Sequence, residues 1–273
     1  SPMPHALVIR TAGTNCDAEM VRAFELAGAT TDLMHLDRLI ADPNQLDRYD
    51  LIGFPGGFSY GDDVASGRIF AMRIRERLYP AIRAAAKRGC LMIGACNGFQ
   101  VLAQVGLLPG PASGEDWPLQ SPPPQSVALA HNEGGMFIDR WVGVEFCADS
   151  PCIWTRGIAD RFSTTDQADV LRLPIAHGEG RFVPASKMVL DQLEQTGQVA
   201  MRYTENVNGS TNAIAGVCDV SGRIFALMPH PERYLSWLNH PYWTRLDASV
   251  RKNETPGLAI FRNAVEAVAK VSA

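Results

Sequence analysis

The sequence predicts an α/β protein: a central, mostly parallel sheet flanked by helices, with additional antiparallel strands. Three observations carry this. Short apolar runs at 6–10, 30–36, 49–57 and 91–93 alternate with longer stretches of helical periodicity, the pattern of strand–helix–strand crossovers. A chain of 273 residues can bury a full core, so one large domain is the default. Beyond Leu108 the pattern changes to short strand-like runs around Gly-rich turns, which suits antiparallel pairing.

Taken in order, "ALVIR" (6–10) reads as a buried strand. In the following "TAGTNCDAEMVRAFELAGA", Thr14 is a candidate helix cap with Asp17 three residues on; Met20, Phe24 and Ala27 keep one apolar face, and Gly28 ends the helix. "TTDLMHL" (30–36) and "YDLIGFPGG" (49–57) are the next strands. A helical tract runs from about Val64 to Arg88 with a break near Pro80. Then "LMIGACNGFQVLAQVGLL" (91–108) turns from strand to helix at Cys96, with Phe99, Leu102, Val105 and Leu108 at helical spacing.

Six prolines between 109 and 126 rule out a helix or a central strand there, so this stretch is expected to be a long exposed loop. "VALAHNEGGMFIDRWVGVEF" reads as antiparallel strands around an Asn-Glu-Gly-Gly turn, and "AIAGVCDVSGRIFALMPHPER" as a hairpin turning at Asp219–Gly222. In "TPGLAIFRNAVEAVAK", Thr255 caps, Pro256 suits the first turn, and Leu258, Phe261, Val265 and Val268 form a core or interface stripe. No internal repeat or linker divides the chain, so residues 3–273 are expected to be one domain with a Pro-rich loop at 109–126 and a C-terminal extension at 235–273. Ser1 and Pro2 are set aside as a cloning remnant.

Lys and Arg number 25 against 29 acids, which leaves no basic excess for nucleic acid, and no apolar run approaches the ~20 residues of a membrane span. Six scattered cysteines without a secretory leader suit reduced thiols in the cytoplasm. Cys147 and Cys152, with His131 upstream, miss the usual metal-ligand spacing, so no metal site is expected.

The chemistry centres on the corner at Cys96. A sharp strand-to-helix turn exposes the residue at the bend, Gly94 and Gly98 allow close backbone approach, and a helix N-terminus favours a thiolate and a developing oxyanion. A small core cysteine in a tight connection would fit the same letters. A thiol nucleophile needs a base and the base an orienter. His230 in "ALMPHPER" follows a strand-like run, and in an extended segment Glu232, two residues on, would point the same way; an ordinary surface turn is the other reading. His5, His35 and His240 read as structural or solvated. "FPGGFSYGDD" follows a strand, so Gly56 and Gly57 could present a backbone N–H toward the corner, and the loop lacks the ending of a phosphate loop. "AHGEGRF" sets His177 and Glu179 between glycines, the composition of a tightly bent site loop.

Together "GACNGFQ", "PGGFSYGDD", "HGEGRF", "NVNGS" and "MPHPER" resemble, in the same order from about Ala6 to Tyr234, the glutaminase subunits of phosphoribosylformylglycinamidine synthase, a branch of the flavodoxin-like class-I glutamine amidotransferases. The resemblance implies that Cys96 is the nucleophile, His230 the base and then acid, and Glu232 its orienter. It assigns the oxyanion-hole N–H groups to Gly57 and Asn97, and substrate contacts to Gly56, Phe58, Gln100, His177 and Glu179. It further implies glutamine as substrate and ammonia passed through a tunnel to a synthetase subunit that aminates formylglycinamide ribonucleotide. ATP and Mg would belong to that partner and no cofactor to this chain, with a small bridging subunit left open. The family pattern is weaker at 109–124 and in "WVGVEFCADSPCIW", "IRTAGTNCD" varies the usual start, and "SWLNHPYWTRLDASVRKNETPG" resembles the tail of a larger fused form. A glutaminase serving another synthase would keep Cys96, His230 and Glu232 but lack "GGFSYGD" and "HGEG", whereas a stand-alone cysteine hydrolase or peptidase would need no partner and would not prefer glutamine.

Overall fold

The computed structural model describes residues 3–11, 13–57, 63–163 and 167–271. Its first half contains β1 (His5–Arg10), α1 (Asp17–Leu26), β2 (Thr30–His35), α2 (Leu36–Ala41), β3 (Leu51–Phe54), α3 (Asp63–Arg73), α4 (Tyr79–Lys87), β4 (Leu91–Ala95) and α5 (Asn97–Val105). Then follow β5 (Val127–Ala130), β6 (Ile138–Phe146), α6 (Ile158–Arg161), α7 (Gln167–Val170), β7 (Arg172–His177), β8 (Arg181–Pro184) and α8 (Lys187–Gln195). The chain continues through β9 (Val199–Tyr203), β10 (Ile214–Cys218), β11 (Ile224–Leu227) and α9 (Pro256–Val271).

One sheet runs in the order β2-β1-β3-β4-β11-β10-β9-β6-β7. The five strands from β2 to β11 are mutually parallel, and the remaining strands continue the sheet antiparallel. Successive side chains of β1 feed opposite cores: Ala6 and Val8 pack with Phe24, Trp154 and Phe261, whereas Leu7 and Ile9 pack with Tyr49, Phe54, Tyr79 and Phe99. Both faces of the parallel half are covered, which is why its strands read as continuous apolar runs.

The predicted break near Pro80 is a single π turn, Ile74–Leu78, between α3 and α4, with Pro80 in the first turn of α4, where a missing N–H costs no helical bond. Residues 109–126 form no regular element and lie mostly exposed, as expected. They are nonetheless pinned to α4: Tyr79 donates to the Pro118 carbonyl (2.6 Å), Arg83 to that of Trp117 (2.9 Å), and Lys87 pairs with Asp116 (2.6 Å). The β10–β11 hairpin turns where predicted, Gly222 N–H donating to Asp219 O. Thr255 caps α9 by accepting from Leu258 N–H (3.2 Å), and the predicted apolar stripe of that helix is core.

Three expectations need correction. Thr14 does not cap α1: its hydroxyl donates to Thr11 O, and Cys16 holds the N-cap position, because Asn15 and Cys16 first bond to the loop after β3. β5 and β6 do not pair with each other. β5 joins β8 in a separate two-stranded sheet, and β6 bridges β9 and β7, so longer-range partners win over the local turn. The segment after His230 is a 3₁₀ turn, Pro231–Arg233, rather than extended chain.

Candidate active site

β2 lies on one side of β1 and β3 on the other, so the strand order reverses at β1, and folds of this kind place their sites at the carboxyl ends of the strands beside such a reversal. There the loop after β1 docks on the loop after β3: Asn15 N–H donates to Gly57 O (2.9 Å) and Cys16 N–H to Gly56 O (3.4 Å). The next strand, β4, ends at the Cys96 corner. Cys96 has φ 53° and ψ −111°, a backbone state that costs a non-glycine residue on the order of 1–3 kcal/mol and marks a position held by its surroundings. The corner is locked from both sides. Cys96 N–H donates to Leu227 O (2.9 Å), and a Cβ on Gly98 would overlap the Phe54 carbonyl, 2.8 Å from its carbon. Gly56 packs on the corner itself, since a Cβ there would lie 2.9 Å from Cys96 Cβ and 3.1 Å from Asn97 N.

β11 lies next to β4 in the sheet, and its continuation brings His230 to the same place. His230 N–H donates to Pro174 O (2.9 Å), and the 3₁₀ turn carries Glu232 Oε1 to 2.5 Å from His230 Nδ1. His230 is 1% and Glu232 2% exposed, so the pair is withdrawn from water. Burial works against a charged imidazole. The Glu232 carboxylate and the sulfurs of Cys96 and Cys16 outweigh it and push the His230 pKa well above the usual histidine value. The Cys96 sulfur and the His230 ring share a side-chain hydrogen bond, and both segments are anchored on the end of β7, where the Cys96 S–H reaches the Ala176 carbonyl (3.5 Å). The C-terminal stretch supports this arrangement: Thr255 donates to Tyr234 O, and Gly257 of α9 packs on the carbonyls of Pro231 and Tyr234.

The remaining predicted residues fall as follows. Gly57 has φ +75°, open to glycine at little cost, and its Cα faces Cys16, whose sulfur would lie 2.5 Å from a Cβ. Because Gly56 O faces the loop after β1, the trans peptide directs the Gly57 N–H away from that loop. Asn97 is the first residue of α5 and is buried; its side chain donates to Gln100 Oε1 (3.1 Å). Gln100 in turn donates to Glu179 O (2.6 Å), tying α5 to the "HGEG" loop. The Glu179 carboxylate turns outward to His131 (3.4 Å). Phe58 lies outside the described residues.

His177 ends β7 and is buried. Asn132 donates through Nδ2 to the carbonyls of His177 and Met136, so its Oδ1 is the acceptor for Gly180 N–H and for His177 Nδ1 (3.1 Å). This network assigns the His177 proton to Nδ1 and leaves Nε2 a buried acceptor without a partner among the described residues. Burial first, and then the charge of His230, lower the His177 pKa to about 4. The consequence for stability has a definite sign. Between about 4 and 6.5 the unfolded chain binds a proton at this site that the folded chain refuses, so stability rises with pH there and is lost as pH falls. At ~1.4 kcal/mol per pH unit the loss is about 3 kcal/mol. His230 contributes in a different window, since a raised folded pKa gives stability that is full below 6.5 and lost only above it. Denaturant unfolding from pH 7 to 4 should show this decline, and His177→Asn should flatten it; equal slopes in both proteins would refute the assignment.

Three residues that sequence reasoning passed over belong to the site: Asn132, Arg233 and Cys16. Arg233 Nη2 donates to Cys16 Sγ (2.9 Å) and its Nε to Glu19 (3.0 Å). The only signals in the sequence were the position of Cys16 just after a strand end and of Arg233 inside "MPHPER". All six cysteines are free. Among the described residues, Cys16, His230 and Glu232 form the one group of three His, Cys or acidic side chains whose donor atoms lie within 4.8 Å of one another. The Arg233 guanidinium places a positive charge at that sulfur.

Thus a cysteine at a strained strand-to-helix corner meets a buried histidine–carboxylate pair beside a glycine turn and a helix N-terminus, the parts needed for acyl transfer through a thioester. The comparisons agree. Residues 3–268 match the CobB/CobQ-like glutamine amidotransferase domain. The chain is 41% identical over 267 residues to the phosphoribosylformylglycinamidine synthase subunit PurQ of Dehalococcoides mccartyi, covering 95% of this chain and 96% of that one. It is 37% identical over 285 residues to the PurQ of Methanococcus maripaludis, covering 97% of each, so the stretch after Tyr234 is shared with relatives of about the same length. In three dimensions it is similar to a chain in the structure of PurLQS from Thermotoga maritima, with TM-score 0.67, 32% identity, and 98% and 100% of the two chains covered. No helix among the described residues is long and apolar enough to cross a membrane. The chain belongs to the PurQ family of glutamine amidotransferases, the glutaminase subunits of phosphoribosylformylglycinamidine synthase.

Proposed function

We propose that this chain hydrolyses glutamine through a thioester on Cys96 and delivers the ammonia to a separate synthetase chain, for the ATP-dependent conversion of formylglycinamide ribonucleotide to formylglycinamidine ribonucleotide. The observation that carries the reading is the meeting of Cys96 with the buried His230–Glu232 pair at the corner after β4. The Cys96 thiolate attacks the side-chain amide carbon of glutamine, and His230 gives its proton to the departing ammonia. His230 then takes a proton from water as the water attacks the thioester, and glutamate leaves. Glu232 keeps the imidazole in the tautomer that faces the sulfur, and its negative charge favours the imidazolium.

Each tetrahedral step places negative charge on the former carbonyl oxygen. The N–H groups of Gly57 and Asn97 are our candidates for receiving it; removing one such donor typically costs about 10²–10³-fold in rate. Gly56, on the loop after β3, and Gln100, His177 and Glu179, around the loop after β7, are assigned to holding the substrate, as is Phe58 from its place in the sequence. For Gln100 that role acts through the loop it ties down.

Ammonia released into neutral water is mostly protonated and no longer nucleophilic, which is the chemical reason for direct transfer. ATP and Mg are assigned to the synthetase, and no residue of this chain to either. A small bridging subunit is part of the proposal, supported by the similarity to a chain of PurLQS. Six free thiols support a reducing, cytoplasmic setting. The test is a glutaminase assay of the purified chain with and without its synthetase. Glutamate should form from glutamine, faster in the complex, and amination should follow glutamine consumption. Turnover of peptides but not of glutamine would reject the proposal.

A further inference from the structure

We propose that Cys16 is a positioning residue of this active site: its sulfur, fixed by Arg233, holds the His230 imidazole and the Gly56–Gly57 turn in register with Cys96. The inference rests on the triad assigned above. Cys16 is fully buried at the N-terminus of α1 and interacts with three parts of the machinery at once. Its sulfur lies with the His230 ring and the Glu232 carboxylate inside a span of 4.8 Å. The same sulfur packs directly on Gly57 Cα, where there is no room for a side chain, and its backbone N–H donates to Gly56 O (3.4 Å). Arg233 fixes it from the third side (2.9 Å) and is itself held by Glu19 of α1 (3.0 Å).

The arrangement has a mechanical logic. Base and oxyanion turn come from strands β11 and β3, which are separated in the sheet by β4 and share no direct strand pairing. One side chain bridging both fixes their separation, and an error of about 1 Å between reacting groups can cost on the order of a hundredfold in rate. The groups that bear on His230 are Glu232, Cys96, Cys16 and His177, with Arg233 acting through Cys16.

The test compares wild type, Cys16→Ala, Cys16→Ser and Arg233→Gln as full chains. Alkylation by a glutamine-like chloroketone is followed over pH with the modified residue mapped, and glutaminase kinetics are measured with the synthetase present, per alkylatable Cys96. Cys16→Ala should lower kcat about tenfold or more with KM within about twofold, since the loss falls on the transition state. The alkaline limb of the alkylation profile, where imidazolium is lost, should move to lower pH by about half a unit or more. Cys16→Ser should recover part of the rate. A merely structural role would reduce the alkylatable fraction and leave rate and profile per site unchanged, which would overturn the proposal. If Cys16→Ala yields no folded protein, Cys16→Ser and Arg233→Gln carry the same readout. Label that persists on a Cys96→Ala chain would instead overturn the triad itself, and this proposal with it.

Discussion

A chain carrying Cys96→Ala should take up no glutamine-directed electrophile at position 96 and lose glutaminase activity by at least about 10⁴-fold, while folding as the wild type does. The size follows from the division of labour at the corner. Removing the nucleophile of a triad costs roughly as much as removing the whole triad, because His230 and Glu232 have nothing to activate once the sulfur is gone. What survives is the binding and oxyanion contribution alone. Stability should change little. The substitution deletes one small buried atom, and alanine keeps the Cβ against which Gly56 packs with no room for a side chain. The strained φ of 53° is the same burden for alanine as for cysteine. Intact-mass analysis after alkylation, with unfolding curves of both chains, measures the two claims separately. Retention of more than a percent of glutaminase activity would remove Cys96 from the mechanism.

Gly98→Ala should be among the most damaging single-methyl changes at the described residues. The added Cβ would overlap the Phe54 carbonyl oxygen, a backbone atom of β3 that cannot turn aside as a side chain would. Either β3 or α5 must shift, and both are buried among Phe54, Phe99 and Leu102 in a close-packed core. The expected cost is about 3 kcal/mol, at the high end for overpacking. Activity should fall further than stability, since α5 carries the corner and its N–H groups at its first turn, and a helix displaced from β3 leaves Cys96 out of line with His230. Chemical denaturation reads the first effect, and the alkylation rate of the fraction that remains folded reads the second. A wild-type unfolding midpoint would show that the loop and helix can separate without loss, contrary to the packing described.

Much of this site was legible because its chemistry sits in contiguous letters. Gly94-Ala95-Cys96-Asn97-Gly98 encodes the corner by local sterics, and His230-Pro231-Glu232 brings base and orienter two residues apart, so each half needs only its own segment. The segment that joins them is a 3₁₀ turn rather than an extended one, yet Glu232 Oε1 still lies 2.5 Å from His230 Nδ1. Cys16 was not legible as a site residue. Its significance arises from contacts with Gly57 and Arg233, 41 and 217 positions away, and nothing near Cys16 in sequence reports them. Asn132 was missed for the same reason, since its partners lie on the loop after β7.

The sequence by itself determined the alternation of strands and helices, the tight corner at Cys96, the segments that meet there, and the family. These depend on short-range periodicity, on glycine placement and on motif order. Only the tertiary structure decided that β5 leaves β6 for β8, that Cys16 rather than Thr14 heads α1, and that Arg233 clamps a second sulfur beside the base. Such outcomes turn on which distant surfaces bury best against each other. That competition is settled by the whole fold, whereas a turn or a helix cap is settled within a few residues.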